Sequence, residues 1–68
     1  MNKIEFIKRV EAARAILPKS ILPLFIVKYP SFNTYKSKSR VTNVIHGRLM
    51  DEEILTKLEE LVKILQPN

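Results

Sequence analysis

The stretch Ser37-Lys38-Ser39-Arg40-Val41-Thr42-Asn43-Val44-Ile45-His46-Gly47-Arg48 decides how the chain reads. Ser37 is of a type that caps helix N-termini, and Gly47 tolerates the left-handed backbone with which many helices end. The segment therefore predicts a short helix over Lys38 to His46. At helical spacing Val41, Val44 and Ile45 turn inward, while Lys38, Ser39, Thr42 and Asn43 turn outward. Such a helix can pack on a core with one side and offer cations, hydroxyls and an amide with the other.

Working outward, the next element is the clearest. Asp51 is placed to cap a helix, Glu52 and Glu53 suit its positive end, and Ile54, Leu55, Leu58, Leu61, Val62 and Leu65 repeat at three and four. Lys63 falls in its final turn and Pro67 follows it. Upstream, Asn2 or Lys3 to Leu17 forms a helix with a wide apolar stripe (Ile4, Phe6, Ile7, Val10, Ala13, Ile16, Leu17) and with Lys8, Glu11 and Arg14 outside it. Pro18 disfavours helical geometry at Leu17 and ends it.

Ser20 is a candidate cap for a helix from Ile21 to about Tyr29, with Pro23 in the first turn, where no intrahelical N–H is needed. This segment is apolar nearly all round. It reads as a helix at the buried centre of a bundle, with a strand through β-branched Ile26 and Val27 as the alternative. Pro30 closes it, and Ser31 to Lys36 reads as a connection in which Phe32 and Tyr35 pack. The fold class that follows is all-α: residues 1–68 as one domain, a small four- to five-helix bundle.

Composition narrows the function. There is no cysteine and only one histidine, which excludes a disulfide framework, a thiolate metal site and a His cluster. A chain of this size buries only roughly 60% of its unfolded surface, so dimerisation would help it. The longest apolar run, Ile21 to Val27, is broken by Pro23 and falls well short of the roughly 20 residues a membrane span requires. Met1 to Val10 mixes charges with apolar residues, unlike a signal peptide, so the expected compartment is the cytoplasm.

Charge is unevenly placed. Residues 1–50 carry ten basic against two acidic side chains, a net +8, whereas residues 51–68 carry two against five, a net −3. Tyr29 to Met50 contains Lys36, Lys38, Arg40 and Arg48 with no acid at all, as expected of a face that meets a polyanion. No catalytic constellation accompanies it. His46 sits beside the helix-ending Gly47 with nothing to place it against a serine and a carboxylate, and one glycine cannot build a phosphate loop. Glu52, Glu53, Glu59 and Glu60 read as a dipole complement and a solvated face. Neither an enzyme activity, a cofactor nor a small-molecule ligand is expected.

The run Arg40 to Arg48, followed within a few residues by Asp51 and an amphipathic helix, resembles the helix-turn-helix domains of the lambda-repressor-like family. It is also similar to bacterial repressors whose recognition helix ends in a Val-Leu-Asn-Gly-type sequence. Leu17-Pro18-Lys19-Ser20 and the helix after it look like the scaffold helix of small repressor-like proteins of phages and mobile elements. The resemblance covers about Leu17 to Leu65, with its sharp part near a dozen residues. One departure is the connection Pro30 to Lys36, longer than the family's three or four residues and without glycine.

The resemblance implies double-stranded DNA as partner and a homodimeric transcription regulator. Lys38, Ser39, Thr42 and Asn43 would reach base edges, and Lys36, Arg40 and Arg48 would hold phosphates. The competing class is a non-catalytic protein-interaction module, for which the apolar Ile21 to Val27 would supply the surface. A membrane-surface helix fits less well, because the basic residues surround a turn and a short helix instead of flanking one long apolar face.

Overall fold

A computed structural model describes residues 1–66. Among these residues the chain forms four α-helices, no strand, and one 3-10 turn: α1 (Lys3–Ile16), α2 (Ile21–Lys28), the 3-10 turn Pro30–Phe32, α3 (Tyr35–Ile45) and α4 (Glu52–Leu65). No helix among the described residues is long and apolar enough to cross a membrane. Pro67, expected to follow the last helix, lies outside the described residues.

Asn2 starts α1, its Oδ1 accepting from the Glu5 N–H at 2.8 Å. Pro18 stops it, leaving Leu17 extended while the Leu17 N–H still donates to Ala13 O at 2.9 Å. Phe6, Val10, Ala13 and Leu17 are buried, spaced by three or four. Ile4 and Ile16, expected in the same stripe, are exposed. The stripe is wider than the surface that covers it: Ile4 lies in the first turn, and Ile16 borders an open hollow between α1 and α4 instead of packing into the core. Along the middle, α1 packs on α4, and Arg9 fastens the pair: its Nε donates to Glu59 Oε2 at 2.9 Å and its Nη2 to Oε1 of the same carboxylate.

The segment after Ser20 is helical, not a strand, but α2 is not the buried centre expected of it. Only Ile21 and Phe25 are buried, and Val27 is 80% exposed. Eight residues make about two turns, and α2 lies at the edge of the bundle against α3 and the 3-10 turn, so one side of a helix that is apolar in every residue but Lys28 is left uncovered. The Ser20 hydroxyl makes no capping bond. Pro23 sits third in the helix, where its missing N–H costs nothing.

Pro30–Phe32 reverses the chain, with Phe32 N–H donating to Tyr29 O and Asn33 N–H to Pro30 O, both at 3.0 Å. Phe32 is thereby buried and meets Phe25 edge-on at 5.2 Å between ring centroids. Tyr29 also packs on Phe25, with the rings tilted and 5.0 Å between centroids, and its hydroxyl donates to Glu60 Oε2 at 2.7 Å, tying this turn to α4.

This turn also moves the start of α3. Thr34, not Ser37, is the cap: it is extended, and its Oγ1 accepts from the Ser37 N–H at 3.2 Å. Lys36 therefore belongs to the helix and not to the connection. Tyr35, expected to pack, becomes the first helical residue and is 92% exposed. Val41, Val44 and Ile45 are buried, as the spacing predicts.

Gly47 ends α3 with φ +71°, and the paired bonds Gly47 N–H to Val44 O (3.0 Å) and Arg48 N–H to Asn43 O (2.8 Å) close it. Asp51 caps α4 by accepting from the Ile54 N–H at 3.2 Å. Ile54, Leu55, Leu58 and Leu61 are buried, whereas Leu65, expected to join them, is exposed with Ile64 in the last turn of the helix. No described polar or charged residue is buried, so the core is purely apolar.

Candidate nucleic-acid interface

A helix advances about 100° per residue, and the buried stripe Val41, Val44 and Ile45 fixes which side of α3 is outward. The outermost ridge then carries Tyr35, Lys36, Ser39, Asn43 and His46. Lys38 and Thr42 lie on one flank, and Arg40 on the other. Lys36, Lys38, Ser39, Arg40, His46 and Arg48 are all exposed, while Thr42 and Asn43 are half-buried.

The proposed base-reading set is thus brought to one helix but not presented uniformly. Thr42 Oγ1 donates to Lys38 O at 3.0 Å, so its proton is spent inside the helix and its oxygen can only accept. Asn43 lies where the chain folds back at Gly47, with the Arg48 N–H on its carbonyl. Lys38 and Ser39 have no such neighbour.

Arg40 differs from the other cations of this face. Its Nη2 donates to Asp51 Oδ2, joining the middle of α3 to the cap of α4. The two side chains are 47% and 15% exposed, respectively. Burial pushes the Asp51 carboxyl up, but the Arg40 guanidinium and the Ile54 N–H outweigh it and hold the group below its ordinary value. Arg40 is therefore a latch between helices first, with part of its guanidinium still open to solvent.

Sequence spacing did not assemble a second group of cations. A groove of about 290 Å³ runs between the end of α1, the start of α2 and the end of α3, and Arg14, Lys19, Thr42 and His46 are among its walls. The available signal was the span from Ala12 to Met50, which contains no acidic residue and includes all three cationic or titratable members. A larger hollow of about 370 Å³ lies between α1 and α4, but no α3 residue lines it and its Arg9 and Glu59 are already paired. No group of three or more His, Cys, Asp or Glu among the described residues could hold a metal ion.

Comparison with known proteins finds no match. Neither a family model, a curated protein nor a solved structure is similar enough to this chain to carry an assignment.

Proposed function

We propose that this chain binds double-stranded DNA, with α3 entering the major groove and α2 and α3 acting as a helix-turn-helix pair whose turn is lengthened by the Pro30–Phe32 element. One observation carries the reading. The inward stripe of α3 leaves an outward face of Lys36, Ser39, Asn43 and His46 that carries no acid and is flanked by the exposed cations Lys38 and Arg40. A helix about 10–12 Å across fits a major groove about 12 Å wide. Lys38 and Ser39 supply donors to base acceptors, Asn43 can pair with adenine, and Thr42 accepts. Lys36, Arg48 and the open part of Arg40 hold phosphates, which set register and not sequence choice.

Such a short helix reads few base pairs, so the protein acts as a homodimeric, non-catalytic transcription regulator on a two-fold-related site in the cytoplasm. The exposed apolar ends of α1 and α4, Ile16, Ile64 and Leu65, are available for the pairing. Titrating labelled duplex at several salt concentrations tests the reading: retention should fall steeply as salt rises, because counterions released on binding supply much of the affinity. Failure to retain any duplex, including a pool of random sequence, refutes it.

The exposed Val27, with half-buried Leu24 and Ile26 beside it on α2, favours a second reading as a protein-interaction module. Recovery of one stoichiometric protein partner, with affinity lost in Val27→Asp and kept in Lys38→Ala/Asn43→Ala, would select it over DNA binding.

A further inference from the structure

We propose that the groove at the corner of α1, α2 and α3 is a phosphate-binding subsite that takes one backbone phosphodiester of the duplex α3 addresses; this assignment rests on the DNA reading above. Three separate elements bring nitrogen-bearing side chains to one concavity: the cations Arg14 from the last turn of α1 and Lys19 from the linker, and the imidazole of His46, an N–H donor, from the end of α3. Among the described residues Arg9 and Arg40 are held in ion pairs, while Arg14, Lys19 and His46 are in none. No carboxylate is among the residues that line the groove, and Glu11, three residues before Arg14 on α1, is in no ion pair with it.

The surroundings strengthen the attraction. Leu17, Ile21 and Ile45 are buried and form part of the same walls, so the charges face a low-dielectric surface that concentrates their field on the opening. Thr42 contributes an acceptor only, its proton being given to Lys38 O, which leaves the hold on an anion to the cations. A helix-dipole role would account for Arg14 and His46 separately, each at the C-terminal end of its own helix. It does not account for Lys19, nor for the convergence of all three on one groove. The Lys38 and Thr42 flank of α3 borders this groove, so a duplex seated on α3 carries its backbone past the opening.

The test is duplex binding by the full chain, comparing wild type, the double variant Arg14→Gln/Lys19→Gln and the charge-matched control Lys3→Gln/Lys8→Gln, whose changes lie toward the other end of α1. The groove variant should bind about tenfold more weakly at low salt, and its slope of log affinity against log salt should fall by about 0.9, the value for one lost phosphate contact. The control should lose less of both, and circular dichroism should show all three equally helical. A groove variant that matches the control in affinity and slope overturns the subsite while leaving the α3 reading intact.

If wild type binds no duplex, the α3 reading falls and inorganic phosphate decides the groove alone. Saturable amide shifts at Ser20, Ile21 and His46, abolished in the groove variant, keep it as an anion site. No shifts overturn it.

Discussion

Asp51 performs two tasks with its two oxygens, and substitution can separate them. Oδ1 accepts from the Ile54 N–H at 3.2 Å and caps α4, while Oδ2 holds Arg40. Losing a cap costs about 1 kcal/mol. The ion pair is worth less, below about 1 kcal/mol, because Arg40 is nearly half exposed and solvent screens it. Asp51→Asn keeps an acceptor for the cap and forfeits only the charge, so it should cost about 0.5 kcal/mol. Asp51→Ala forfeits both, about 1.5 kcal/mol, a fall of roughly 6–12 °C in melting temperature for a domain of this size.

The pH dependence has a definite sign. A carboxyl held below its ordinary value contributes stability that is present above the unfolded value near 4 and is lost as the pH falls through the folded one. Both variants should lack that contribution. Thermal melts between pH 3 and 7, followed by circular dichroism, measure all of this. Equal losses in the two variants, or Asp51→Ala within a few tenths of a kcal/mol of wild type, would refute the division of labour.

Gly47→Ala should destabilise by about 1–2 kcal/mol through its positive φ, since the added Cβ would meet only Ile7 Cγ1 at an ordinary 3.8 Å; chemical denaturation with an unchanged m-value would check it. Thr34→Ala should cost about 1 kcal/mol and Ser37→Ala distinctly less, and the reverse order in the same melts would return the cap to Ser37. Tyr29 should ionise near pH 12, pushed up by burial and by its bond to the Glu60 carboxylate, so the ultraviolet titration step near that pH should vanish in Tyr29→Phe. The stability that Tyr29 contributes is complete below about pH 10 and disappears as the pH rises through the folded value.

The sequence disclosed most where one residue type has one physical use. Pro18 ends α1, Gly47 takes positive φ, Asp51 caps α4, and Val41, Val44 and Ile45 turn inward because apolar side chains at that spacing have no other side to share. It disclosed less where two residues can do the same job. Thr34 and Ser37 are both good caps, and the choice falls to the Pro30–Phe32 turn, which periodicity does not reveal. The misplacement of Tyr35 and Lys36 follows from that single choice.

Apolar stripes predict direction but not extent. Ile4, Ile16 and Leu65 continue the apolar patterns of their helices yet stay exposed, and α2, apolar nearly all round, carries no sign of which side will be bare. Long-range pairing was the least legible. Arg40 reaches Asp51 across 11 residues and Arg9 reaches Glu59 across 50, and nothing local distinguishes these arginines from Arg14 or Arg48. The corner groove depends on the same kind of convergence, between residues as distant as Arg14 and His46.

The outward face of α3 is the centre of the account, and selection of bound sequences from a random duplex library addresses it most directly. The wild-type chain should enrich a two-fold-related consensus, and Asn43→Ala should relax the preference at one position of each half-site by about 1–3 kcal/mol, while Lys36→Ala weakens all sequences alike. A library that shows no enrichment, or a consensus untouched by Asn43→Ala and Lys38→Ala together, would contradict a DNA-reading role for this helix.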